Sequence, residues 1–132
     1  MKILILGGSG FIGKSVAKHL KTLKINSISL SRRNRLDLTD YKNTFTVFKK
    51  VSPDVIINCA TQVGSLHYVT KYGADIIYNN SNMILNIYKA IKNLSKNIKV
   101  VNPIANCGYP SELDDLEEKN FFKGDVHSSV YG

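Results

Sequence analysis

Apolar residues follow two rhythms along this chain, and each change of rhythm marks an element. Ile3 to Leu6 is an unbroken apolar run, as expected of a strand buried on both faces of a parallel sheet. Gly7 follows at once, and Gly10 and Gly13 come at three-residue intervals. Ile12, Val16, Leu20 and Leu23 then recur at helical spacing, with Lys14, Lys18 and Lys21 on the outer side. Residues 25–31 alternate enough for a second strand, and Leu36-Asp37-Leu38 reads as the stub of a third. A helix capped by Thr39 or Asp40 runs to about Val51, where Ser52-Pro53 stops it. Residues 54–60 form a fourth, buried strand. Gln62 to Tyr72 shows no clear period and reads as an irregular loop, the kind of segment that carries site residues. Ala74 to Leu94 is the longest helix, with Ile77, Ile84, Ile87 and Ile91 as its inner stripe. Residues 98–102 supply a fifth strand, and Ser111 to Gly132 is acidic, then loop-like.

Strands alternating with helices predict an α/β fold, a doubly wound parallel sheet of the Rossmann type with strand order 3-2-1-4-5. In such a sheet ligands sit outside the carboxyl ends of the strands. The first of those ends is the glycine turn. Glycine permits the tight turn and close backbone approach, and the helix N-terminus beyond it offers unpaired N–H groups to a pyrophosphate. Gly7, Ser9, Gly10, Phe11, Ile12 and Gly13 are therefore candidate cofactor contacts. An ordinary turn with a closely packed helix is the plainer alternative. At the end of the second strand, where an acidic residue would accept the ribose hydroxyl of NAD, stand Arg32 and Arg33. Two arginines suit the extra phosphate of NADP, so NADP is the expected cofactor and NAD the alternative. The alternative for the arginines themselves is a pair of solvated loop charges. Cys59, Ala60 and Thr61 close the fourth strand and should lie beside the cofactor. Asn80 falls on the apolar stripe of the long helix, where its amide must find a partner.

Composition narrows the classes. The 132 residues suffice for one domain burying about two-thirds of its unfolded surface. An apolar fraction of 43% and a charged fraction of 21% are those of a globular chain. No apolar run reaches membrane-spanning length and the first strand is too short for a signal peptide, which predicts a cytoplasmic protein without a membrane partner. Two cysteines make neither a disulfide framework nor a metal cluster. The net charge of +8 is spread over successive helices and alternates with apolar residues, as on solvated helix faces. No aromatic platform is interleaved with it, so a phosphate-bearing small ligand is expected rather than nucleic acid.

The Gly7, Gly10, Gly13 spacing resembles the extended short-chain dehydrogenase/reductase family, whose members mostly act on nucleotide sugars. Residues 35–40, Gln62-Val63-Gly64, residues 74–80 and Asn106-Cys107-Gly108-Tyr109-Pro110 are similar to its GDP-L-fucose-synthase-like branch. Enzymes of that branch epimerise a 4-keto nucleotide sugar and then reduce it with NADPH. The resemblance implies that Asp37 and Leu38 face the adenine and that Asn80 belongs to the polar network behind the site. It also implies that Cys107 is the acid/base cysteine, whose pKa of about 8.5 when free must be drawn toward neutrality. A small buried apolar side chain is the alternative for Cys107, and the expected state of Cys59. Two departures bear on activity. Ala105 stands where the family has a carbonyl-polarising serine, and no Tyr-x-x-x-Lys is placed to serve. The catalytic tyrosine is expected just past Gly132, or at Tyr131 in a shifted register.

The resemblance covers only the amino-terminal part of such an enzyme. Residues 1–132 are thus expected to form an incomplete dinucleotide-binding domain without its substrate domain, holding cofactor without turnover. The substrate implied for the full-length relative is a nucleotide sugar. A redox-neutral, NAD-dependent epimerase or dehydratase and a non-catalytic nucleotide-binding module are the competing readings. Self-association into a homo-oligomer, through the edge of the fifth strand or the long helix, is expected as well.

Overall fold

The computed structural model describes residues 1–112, 116–121 and 123–125. The stretch from His127 to Gly132, including Tyr131, and the acidic pair Asp114 and Asp115 lie outside the described residues. Strand β1 (Ile3–Leu6) leads through the glycine turn into α1 (Phe11–Thr22), and β2 (Ser27–Leu30) ends in a single 3-10 turn, Arg32–Asn34. Then come α2 (Tyr41–Val51), β3 (Val55–Asn58), α3 (Leu66–Lys71), α4 (Gly73–Asn93) and β4 (Lys99–Val101), followed by 3-10 turns at Asn106–Gly108 and Glu118–Asn120.

The strands form one parallel sheet in the order β2-β1-β3-β4. Central β1 is buried at all of its residues, which explains its unbroken apolar run. Leu4 and Leu6 pack with Phe48 of α2, Ile56 of β3 and Ile87 and Ala90 of α4. Successive side chains point to opposite faces, so the buried Ile3 and Ile5 face the other way. Helix α1 turns inward Gly13, Val16, Ala17 and Leu20, an i, i+3, i+4, i+7 stripe, while Ile12 and Leu23 are exposed. The stripe thus begins one position later than its spacing predicts and ends at Leu20, since Leu23 lies past the helix as its cap.

Three other expectations are corrected. Leu36-Asp37-Leu38 is not a strand, so the sheet has the expected order without that stub. Leu36 and Leu38 do enter the core. Their backbone, however, bonds locally: Leu36 N–H donates to Ser31 O at 3.0 Å and Asp37 N–H to Asn43 Oδ1 at 2.9 Å. Within the stretch read as a loop, α3 forms because the Ser65 hydroxyl accepts from the Tyr68 N–H at 3.3 Å, capping it. Finally, Ile77 and Ile84 of α4 are 70% and 47% exposed. The inner face of α4 runs through Asn79, Asn80, Met83, Asn86, Ile87, Ala90 and Ile91. Its carboxyl half is apolar and meets the core. Its amino half is lined with amides, and these hold loops. Of the two caps foreseen for α2, it is Asp40 that accepts the N–H groups of Lys42 and Asn43, at 2.8 and 3.2 Å.

Candidate functional site

The glycine turn is built by backbone crowding. Gly7 has φ +72°, and a Cβ there would stand 2.5 Å from Cys59 O and 2.7 Å from Ala60 N. The turn closes with Gly10 N–H donating to Gly7 O and Gly8 N–H to Leu30 O, both at 2.9 Å. Gly13 rests on Gly7 and Gly8, which brings the start of α1 against the end of β1. No side chain caps α1 and no acidic residue lies in its first turn. Its first N–H groups and the positive end of its dipole are therefore presented to an anion.

Above this turn, along the carboxyl ends of the strands, lies a cavity of about 590 Å³, the size of a cofactor site. Gly7, Ser9 and Gly10 line its middle, Ser31, Arg32, Leu36 and Leu38 the β2 side, and Cys59 to Gln62 the β3 side. Tyr68 of α3 and Asn79 and Met83 of α4 complete it. Among the sequence candidates, Gly7, Ser9, Gly10, Arg32, Leu38, Cys59, Ala60 and Thr61 thus share one wall. Phe11, Ile12, Gly13, Arg33, Asp37, Asn80 and Cys107 are not in that lining. Phe11, at the start of α1, is 92% exposed.

Arg32 sits at the mouth of the β2 loop. The loop is shaped by Asn34, whose Oδ1 accepts from the Ser31 hydroxyl at 3.0 Å and from the Ser31 N–H, and whose Nδ2 donates to Ser29 O at 2.9 Å. Arg35 closes it in the left-handed region, φ 70°. Arg32 reaches Asp37 Oδ1 at 3.5 Å. The Asp37 carboxyl is held below its ordinary pKa, first by the Thr39 hydroxyl, 2.7 Å away, against the opposing effect of burial, and then by the Thr39 N–H and Arg32. Asp37 is thus spent on its own turn and on Arg32.

Asn80 finds the partner that its position demands. Its Oδ1 accepts from Gln62 N–H at 2.7 Å and its Nδ2 donates to Gln62 O at 2.9 Å. Asn79 Nδ2 donates to Gln62 Oε1 at 2.8 Å, and Gln62 Nε2 to the Tyr68 hydroxyl at 3.0 Å. About two turns further on, Asn86 Nδ2 donates to Leu38 O and Thr39 O at 2.9 and 3.0 Å. Helix α4 therefore pins loops on both sides of the cavity. Gln62 and Tyr68 lie in the segment expected to carry site residues, and Leu36 and Asn79 in the stretches that carry the resemblance, whereas Ser31 and Met83 had no signal in the sequence.

Cys59 is a half-buried thiol whose pKa burial pushes up, against the thiolate form that a nucleophile needs. Cys107 is half-buried in the 3-10 turn after β4. Phe121 packs over Gly108, and its ring meets Tyr109 edge-on at 4.9 Å. Tyr88 and Lys92 of α4 have the spacing of a Tyr-x-x-x-Lys pair. The Tyr88 hydroxyl, however, accepts from Asn102 Nδ2 at 2.9 Å and does not line the cavity. Among the described residues no group of three metal-ligating side chains occurs, and no helix is long and apolar enough to cross a membrane.

Comparisons with known proteins agree with this geometry. The family model described as NAD dependent epimerase/dehydratase matches residues 3–132. A GDP-L-colitose synthase from Yersinia pseudotuberculosis is 32% identical over 134 residues, covering 100% of this chain and 42% of the relative. A GDP-L-fucose synthase from Dictyostelium discoideum is 29% identical, covering 98% of this chain and 41% of the relative. Among solved structures, the NADP-bound GDP-mannoheptose C4 reductase MlghC from Campylobacter jejuni superposes with a TM-score of 0.80 at 26% identity, over 96% of this chain and 40% of the reductase. The chain spans about two fifths of the length of the curated relatives it matches.

Proposed function

This chain belongs to the NAD dependent epimerase/dehydratase family, and from that premise we propose that residues 1–132 are a dinucleotide-binding domain that holds NADP. The supporting observation is the pairing of an anion-binding glycine turn with Arg32 at the end of β2, on one cavity wall. The residues fit the group: a Cβ at Gly7, Gly8 or Gly13 would clash, the first turn of α1 is uncapped, and no carboxylate follows β2 directly. Asp37 already holds Arg32, but a half-exposed ion pair at 3.5 Å contributes only about 0–1 kcal/mol. A dianionic phosphate out-competes it with charge-assisted, bidentate hydrogen bonds. Arg33 is exposed on the same turn and adds its charge. The NADP bound in MlghC supports the same choice over NAD.

The activity proposed for the whole protein is that of a nucleotide-sugar epimerase/reductase acting on a 4-keto sugar nucleotide, with Cys107 as its acid/base group. NADPH, when bound, supplies hydride. The residues named above bind and orient the dinucleotide, with Asp37 and Leu38 on the adenine side and Asn80 holding the Gln62 loop behind the site across the glycine turn. From these 132 residues alone cofactor binding without turnover is expected, since Ala105 has no hydroxyl to offer a ketone. Affinity for NADPH and NADH, measured on the wild type and on an Arg32→Ala, Arg33→Ala double variant, tests the cofactor. A preference for NADPH that collapses in the variant is expected. Equal wild-type affinities would favour the NAD-dependent, redox-neutral reading instead.

A further inference from the structure

Tyr68 stands in the cavity wall without an assigned task, and the hydrogen bonds around it define what its hydroxyl can do. Gln62 has its carbonyl oxygen engaged by Asn79 Nδ2 at 2.8 Å, so it turns its amide nitrogen to Tyr68, donating at 3.0 Å. The phenol oxygen is then an acceptor in this contact, and its own proton is left for another oxygen. The chain Asn79, Gln62, Tyr68 thus sets the polarity of a hydroxyl on the cavity wall. Its position is fixed as well. Asn80 holds the Gln62 backbone from both sides. A Cβ on Gly64 would lie 2.5 Å from the Tyr68 ring, and the Tyr72 ring is 5.0 Å away, tilted by 44°.

Strand order says which part of a ligand this hydroxyl meets. Arg32 follows β2, the glycine turn follows β1, and Gln62 and Tyr68 follow β3. Tyr68 therefore lies across the glycine turn from Arg32. Resting on the cofactor reading above, we propose that the Tyr68 hydroxyl donates a hydrogen bond to an oxygen of the nicotinamide–ribose half of the bound dinucleotide, with Gln62 and Asn79 presetting its direction.

The test compares NADPH with adenosine 2′,5′-bisphosphate, which carries the adenine half alone, by titration calorimetry on the wild type, Tyr68→Phe and Gly64→Ala. Loss of one hydrogen bond should weaken NADPH binding to Tyr68→Phe roughly fivefold to tenfold. The bisphosphate should bind that variant as it binds the wild type. Gly64→Ala keeps the hydroxyl but displaces the ring, and should also weaken NADPH selectively. Unchanged NADPH affinity in Tyr68→Phe, or an equal loss for the bisphosphate, overturns the assignment while leaving the cofactor reading standing. Failure of the wild type to bind either ligand overturns the cofactor reading and this inference with it.

Discussion

Replacing Gly13 by alanine tests whether the turn and α1 are as tightly coupled as the structure requires. The new methyl would stand 2.8 Å from Gly8 Cα and 2.9 Å from Gly7 C, with Gly7 O nearer still. All three are backbone atoms. Gly7 cannot yield, because its carbonyl holds the Gly10 N–H at 2.9 Å and its other side abuts Cys59 O and Ala60 N. Relief must come from α1 retreating by roughly half an ångström, which loosens its contact with β1. Overpacking of this kind costs about 1–3 kcal/mol, and alanine returns up to about 1 kcal/mol in helix propensity. A net loss of up to about 2 kcal/mol is expected, read as a lower urea midpoint. The retreat also moves the first N–H groups of α1 from their anion. One charge-assisted hydrogen bond lost, about 1.5–3 kcal/mol, lowers NADPH affinity on the order of tenfold to a hundredfold. Gly73→Ala is the matched control, for nothing lies within 4 Å of its Cβ position at the start of α4. It should be neutral or slightly stabilising. A Gly13→Ala protein as stable as the wild type and equal to it in affinity would refute this reasoning.

Asn86→Ala should lower stability by about 1–2 kcal/mol in urea unfolding, since it strands the Leu38 and Thr39 carbonyls that Asn86 satisfies at 2.9 and 3.0 Å. Asp54 has its pKa lowered, first by the hydrogen bond from Lys96 at 2.7 Å and next by the Lys2 N–H. A carboxylate with a depressed folded-state pKa stabilises above its unfolded value of about 4 and loses that contribution as pH falls through the folded value. The wild-type urea midpoint should therefore drop more between neutral pH and strongly acidic pH than that of Asp54→Asn, and added salt should shrink the difference. β4 is an edge among the described residues, and α4 exposes Ile77, Tyr78, Leu85 and Tyr88, each at 48% or more. Sedimentation at micromolar concentration is expected to show self-association. A clean monomer would contradict it.

The parts of the fold legible in the sequence were those where one rhythm dominates. Ile3 to Leu6, buried on both faces, could only be apolar, and the glycine triplet could only be a turn. What escaped has a common cause. Leu36 and Leu38 look like a strand because they are buried, yet whether they join a ladder depends on Asn43 and Ser31, which take the neighbouring N–H groups. On α4, Ile87 and Ile91 face inward as their spacing predicts, whereas Ile77 and Ile84 do not. Where α4 faces loops whose polar groups need partners, asparagine at 79, 80 and 86 serves better than isoleucine. The same amides conceal Gln62 and Tyr68, whose place in the cavity follows from partners 6 to 18 residues away. Arg32 was legible from its position alone; its ion pair with Asp37 was not.

The central claim is that NADP lies on the glycine turn with its extra phosphate on Arg32. A crystal structure of this chain grown with NADPH addresses it most directly. The account predicts pyrophosphate density over Gly7 to Gly13, the 2′-phosphate within hydrogen-bonding distance of the Arg32 guanidinium, and Asp37 released from it. NADPH bound elsewhere, or bound here with its 2′-phosphate away from Arg32 and the Arg32–Asp37 pair intact, would contradict it.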